Sequence, residues 1–173
     1  LSESGLSQQL DNMIASRLFC ESNGKYISLE NVAAFYKSEI GHHVINNMAT
    51  VQREWSFTLA VPPDFALLLS SSPNNSTDDQ GDSSKHMKSE AHMGSEAHIL
   101  VRGIIDLFYQ TPDGIVIIDY KTDNVNKSNV HDQALKYAVP MDLYQKAIEA
   151  ICQKKVCKKN IWYQTDNYFL VSN

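Results

Sequence analysis

Apolar residues at positions 6, 10, 13, 14 and 18 recur every three to four residues, which predicts a helix over 6–19. A second helix follows Ser28, the expected N-cap, with Glu30 in its first turn and Val32, Ala33, Phe35 and Tyr36 as its packing face. A third helical stretch covers 40–48. The period then drops to two: over 51–61, Trp55, Phe57 and Leu59 share one face, Glu54 stands on the other, and Pro62-Pro63 ends the strand. Two continuous apolar runs, 104–109 and 115–120, read as buried strands joined by Thr111-Pro112-Asp113-Gly114. Pro second and Gly fourth in a four-residue turn favour a type I turn and a hairpin. Helical spacing returns over 131–152 through Leu135, Ala138, Leu143, Ala147, Ile148 and Ile151. Pro140 there predicts a break, with a new helix starting at Met141. Residues 161–163 and 168–171 read as closing strands around a turn at 165–167. This order predicts an α/β fold, a mixed central β-sheet flanked by helices.

Between the strand at 51–61 and the hairpin, the segment 70–98 is dominated by Ser, Asn, Asp and Gly. It has little to bury and is expected to be a mobile insertion, its His86, His92 and His98 solvated rather than metal-bound. The rest is one domain: 173 residues at 43% hydrophobic suffice for a real core. No apolar run approaches the ~18 residues a membrane span needs, and no signal peptide stands at the start. The chain begins at Leu1 rather than Met, the expected mark of a piece of a longer protein.

The hairpin carries the chemistry. Each strand holds one carboxylate in apolar surroundings, Asp106 and Asp119, and Lys121 shares the face of Asp119 two residues later. A two-residue loop at Pro112-Asp113 sets the aspartates directly across from each other. A bulge at Gly114 would slip the pairing and separate them. A shared face is expected, because two carboxylates in apolar strands need a partner and one divalent cation serves both. Such a pair, with a backbone carbonyl, holds Mg2+ or Mn2+ and leaves positions for water and a phosphate oxygen. Lys121, a compact point charge, would orient the attacking water or offset developing charge.

Gly103-Ile104-Ile105-Asp106-Leu107, Asp113-Gly114 and Ile118-Asp119-Tyr120-Lys121-Thr122-Asp123 resemble the metal-binding core of RecB-type nucleases of the PD-(D/E)xK superfamily. Among these the segments are most similar to the C-terminal nuclease domain of AddA (RexA) subunits of bacterial helicase–nucleases. The similarity runs over about 29–151, outside the insertion. It implies a restriction-endonuclease-like fold and a Mg2+-dependent DNA exonuclease, with Mn2+ able to substitute. Asp106, Asp119 and the Tyr120 carbonyl would hold the metal, and Asp106, Asp119 and Lys121 would be catalytic. It also implies double-strand-break processing in the bacterial cytoplasm, an AddB (RexB) partner in a heterodimer, and ATP use confined to the helicase part.

Other positions follow the resemblance less closely. Arg53-Glu54-Trp55-Ser56-Phe57 is similar to the strand that precedes the metal-binding pair, so Glu54 is expected near the site or paired with Arg53 or Arg102. The 137–144 segment is similar to the helix that flanks the active site. Tyr144 matches its final Tyr, a contact to the metal surroundings or DNA or else a packing residue. Pro140 stands where the family has Gln; Gln133 or Gln145 would have to compensate, and neither is in register. Asp123 is placed as a partner of Lys121 or as a turn cap. The family's metal-binding His on a preceding helix has no counterpart here and is expected upstream of Leu1. The His42-His43 pair does not supply it, since adjacent residues on a helix point about 100° apart.

Charge and cysteines refine this picture. The net charge of −5 argues against an independent DNA binder with a broad basic footprint. The insertion contributes much of it, with five carboxylates against two lysines. Lys154, Lys155, Lys158 and Lys159 form a basic cluster, read as a solubilising edge before a phosphate contact. Cys20, Cys152 and Cys157 lack Cys-x-x-Cys spacing, which favours reduced structural thiols over an iron–sulfur cluster. The competing function is a catalytically silent nuclease fold acting as a DNA-binding or scaffolding module.

Overall fold

The computed structural model describes residues 2–70, 98–164 and 168–172. Four helices open the chain: α1 (Glu3–Ala15), α2 (Glu21–Gly24), α3 (Leu29–Lys37) and α4 (Glu39–Asn46). Ser28 caps α3, its Oγ accepting from Asn31 N at 3.2 Å. Ser38 ends α3 and caps α4, accepting from Gly41 N at 3.1 Å. The first helix stops short of position 19, because Arg17 turns the chain in a left-handed conformation (φ 57°) and Leu18 is left 75% exposed. Strand β1 (Gln52–Val61) follows, then α5 (Pro63–Ser70), a helix that the apolar run after Pro63 did not announce. The expected insertion lies almost wholly outside the described residues.

Strand β2 (Ile99–Thr111) and strand β3 (Gly114–Lys121) form the expected hairpin around Pro112-Asp113. Gly114 takes φ 138°, and a Cβ there would lie 2.6 Å from the Lys155 carbonyl oxygen, so only glycine fits this corner. Helices α6 (Val130–Leu135) and α7 (Ala138–Cys152) cross to strand β4 (Val156–Tyr163), which pairs parallel with β3. Strand β5 (Tyr168–Ser172) closes the edge against β4. The helix break falls before Pro140 rather than at it. Pro140 is the third residue of α7, where a missing N–H costs nothing because first-turn N–H groups have no intrahelical acceptor.

The five strands run in order β1-β2-β3-β4-β5, antiparallel except for β3–β4. Helices cover both faces. On one, Ala66 and Leu69 of α5, Val130 of α6, and Met141, Leu143, Ala147 and Ile148 of α7 pack on Phe57, Ile105, Ile117 and Ile161. On the other, Phe35, Ile40 and Val44 pack on Leu107, Tyr109, Val116, Ile118 and Trp162. This is the mixed sheet flanked by helices that the pattern predicts. Of the expected helical stripe, Leu135 and Ile151 are exposed, and Met141 takes the buried place.

Candidate active site

The β2–β3 ladder pairs Thr111 with Gly114 through to Leu107 with Ile118, the register that sets Asp106 across from Asp119. At that point the ladder ends. Tyr120 N donates instead to Asp106 Oδ2 at 2.8 Å, so a side-chain carboxylate replaces a backbone acceptor. The cause lies one strand further out. Glu54 has φ 49°, a left-handed backbone that a non-glycine residue rarely adopts within a strand. Before it, Val51 packs on the α3–α4 side; after it, Trp55 and Phe57 pack on the α5–α7 side. Strand β2 makes the same change at Asp106: Val101 and Ile105 face one side, Leu107 and Tyr109 the other. Both strands slip their alternation together, so their pairing stays in register around the break. The slip turns Asp106 toward β3.

Asp119 is 2% exposed, yet its carboxylate contacts Lys121 Nζ at 2.6 Å through Oδ2. Burial pushes its pKa up to about 6 against the opposing pull of Lys121, and the Asp106 carboxylate, close enough to hydrogen-bond, pushes the same way. The two acids and the amine are thus brought together. Asp106 Oδ2 is engaged by Tyr120 N and Asp119 Oδ2 by Lys121 Nζ. Two adjacent carboxylates, Asp119 buried and Asp106 half-buried, are a donor set that a divalent cation fits. Among the described residues no group of three His, Cys, Asp or Glu side chains could hold a metal, so further donors would be backbone, water or phosphate.

Tyr144 of α7 stands over the pair. Its hydroxyl is pushed well above the ordinary tyrosine range by burial first, then by the charges of Asp119 and Asp106, and its ring meets Phe57 edge-on at 6.1 Å. Glu54 lies opposite Asp106 in register but is exposed, and it forms no ion pair with Arg53 or Arg102 among the described residues. Asp123 accepts from Tyr137 Oη at 2.7 Å. Gln133 accepts from Lys136 Nζ at 2.6 Å, and Gln145 donates to Glu149 at 3.2 Å.

A model of the PD-(D/E)XK nuclease superfamily matches residues 28–171. The chain belongs to that superfamily. Relatives of this nuclease-family chain include an ATP-dependent helicase/nuclease subunit of Thermoanaerobacter sp. (strain X514), 30% identical over 162 residues covering 94% of this chain and 11% of the relative. Its namesake in Clostridium acetobutylicum is 28% identical over 162 residues, 94% of this chain and 11% of the relative. The namesake in Lactiplantibacillus plantarum is 27% identical over all 173 residues, 12% of the relative. The nuclease-family chain therefore spans about a tenth of these relatives' length.

Other sequence candidates fall away from the site of this nuclease fold. His42 and His43 are exposed on α4, His43 being 3.8 Å from Glu39. His86 and His92 lie outside the described residues. The lysine cluster is only in part a solvated edge: Lys158 and Lys159 belong to β4, and Lys159 is buried against Asp142 at 2.7 Å. Lys154 donates to Gln110 at 2.5 Å. The three cysteines are free thiols; Cys20 and Cys157 are exposed, which removes them from a packing role. A cavity of about 530 Å³ lined by Phe35, Tyr36, Tyr120 and Trp162 opens on the sheet face opposite Asp119, so it is not the carboxylate site. No helix among the described residues is long and apolar enough to cross a membrane.

Proposed function

We propose that this domain is a divalent-metal-dependent deoxyribonuclease, an exonuclease module that hydrolyses DNA phosphodiesters at broken ends delivered by a helicase. The observation that carries the reading is the buried Asp119 bonded to Lys121 at 2.6 Å, with Asp106 turned toward it by the slip in β1 and β2. Asp106, Asp119 and the Tyr120 carbonyl would hold Mg2+, with Mn2+ able to substitute. The cation would supply positive charge against the phosphate and acidify a water molecule. Lys121 orients the attacking water and donates to a phosphate oxygen as charge builds there. Asp106 also fixes the end of β3 through Tyr120 N, so the ligand and the strand that carries its partner move as one. Tyr144 on α7 is near enough to the carboxylates to feel their charge and offers a neutral hydroxyl to water or phosphate.

The relatives' name and length support a place beside a helicase motor, and with it ATP use outside this domain, a bacterial cytoplasmic setting and an AddB (RexB)-type partner. The domain boundary follows the same reading: 1–173 forms one nuclease unit interrupted by the segment at 70–98. A scaffolding role gains from Pro140 at the Gln position and from the absence of a third acidic or His donor among the described residues. Digestion of an end-labelled single-stranded oligonucleotide in Mg2+ or Mn2+ separates the two. The nuclease reading expects ladder products that vanish in EDTA and in Asp119→Ala; equal digestion by both proteins, or none by either, removes it.

A further inference from the structure

Lys121 is held from two sides. Its Nζ bonds Asp119 Oδ2 at 2.6 Å and stands over the ring of Tyr137 at 4.5 Å from the centroid. That ring is itself fixed, because Tyr137 Oη donates to Asp123 Oδ2 at 2.7 Å. Residues 119, 121 and 123 follow one another at alternate positions where β3 runs out, and Tyr137 bridges the last two from the gap between α6 and α7. Tyr163, fully buried, is the β4 residue paired with Lys121, and its hydroxyl has no hydrogen-bond partner among the described residues.

We propose that Tyr137, locked by Asp123, is a positioning residue that keeps the Lys121 ammonium at the site once Asp119 turns to another partner. The inference rests on the nuclease reading for its consequence, not for its geometry. A lysine has four rotatable side-chain bonds and a strongly hydrated head, so an amine tied to Asp119 alone would leave for solvent when a cation or substrate drew that carboxylate away. An aromatic face attracts an ammonium without competing for a metal. The ring can do this only if it stays put, and the Asp123 hydrogen bond stops it from turning. Burial raises the Tyr137 pKa, with the Asp123 hydrogen bond and charge adding to it, so the hydroxyl remains a donor. The alternation 119–121–123 therefore supplies ligand, amine and amine support from one strand end.

Two readouts test this. Reductive 13C-methylation of the lysines, with Lys121→Arg assigning the signal, reports ring proximity directly and needs no catalysis. The dimethyl-Lys121 resonance is expected upfield of exposed lysines in the wild type, less far upfield in Tyr137→Phe, whose ring has lost its lock, and at the exposed position in Tyr137→Leu. An unmoved resonance in a folded Tyr137→Leu overturns the contact. In metal-dependent cleavage, kcat is expected to fall at least tenfold in Tyr137→Leu with KM little changed. Asp123→Asn and Tyr137→Phe are expected to cause smaller, equal losses, and their double variant no more than either. Unaltered kcat in Tyr137→Leu, or losses that multiply in the double variant, overturn the positioning role. A wild type that shows the shift but never cleaves defeats the nuclease reading instead.

Discussion

Asp119→Asn is expected to make this domain more stable while disabling it. The carboxylate is 2% exposed, and its pKa rises from an ordinary 3.8 to about 6, chiefly because burial penalises the charge. An acid whose pKa rises on folding binds its proton more tightly in the native state. Its stabilising effect is complete at low pH and is lost as pH climbs from about 4 through about 6. By pH 7.5 the ionised side chain costs the metal-free fold roughly 3 kcal/mol, from about two pKa units at about 1.4 kcal/mol each. Asparagine removes that charge; the Lys121 attraction is already contained in the shift, so only the imperfect hydrogen bonding of a buried amide is set against it, leaving a net gain of about 1–2 kcal/mol. For a domain of this size that is a Tm rise of about 3–6 °C. Thermal unfolding followed by circular dichroism in EDTA, at pH 7.5 and pH 4.5, measures it: the gain should appear at the higher pH and shrink at the lower. A variant no more stable than the wild type at pH 7.5, or a difference independent of pH, refutes the argument that Asp119 is held ionised against its surroundings.

Further outcomes follow from the same geometry. Asp106→Ala leaves Tyr120 N without its acceptor and should cost about 1–3 kcal/mol in urea unfolding, whereas Asp106→Asn keeps an acceptor and should cost less than half as much. Glu54→Gly relieves the left-handed backbone and should be neutral or stabilising by up to about 1 kcal/mol, while Glu54→Val should destabilise by about 2 kcal/mol or more. Gly114→Ala meets both φ 138° and the Lys155 carbonyl and should lower stability by about 2 kcal/mol in the same assay.

Much of this fold is legible because local rules agree with the tertiary answer. The turn residues at 111–114 narrow the hairpin to two registers, of which the need of both carboxylates for a shared partner favours the observed one; Ser28 marks a helix start, and Trp55, Phe57 and Leu59 mark a strand face. What escapes is either short or depends on neighbours. Helix α5 is eight residues long and apolar almost throughout, so it carries no periodicity to distinguish it from a strand. Pro140 reads as a helix start because of its missing N–H, but the first turn has three positions that tolerate it, and the sequence does not choose among them. The slip at Glu54 and Asp106 is the largest omission. No propensity places glutamate in a left-handed conformation; only the simultaneous change of face in two paired strands makes it tolerable. One trace is present, the consecutive Ile104-Ile105 before Asp106 and Leu107-Phe108 after it, which break a strict alternation. Tyr137 has no such trace, because a ring under a lysine requires the α6–α7 gap and the end of β3 to meet.

Isothermal titration of the wild-type domain with Mn2+ tests most directly whether the hairpin acids converge on one cation. One binding event is expected, abolished by Asp106→Asn and by Asp119→Asn alike and retained in Lys121→Met. Heat that persists in either aspartate variant, or no binding in the millimolar range by the wild type, would contradict the account.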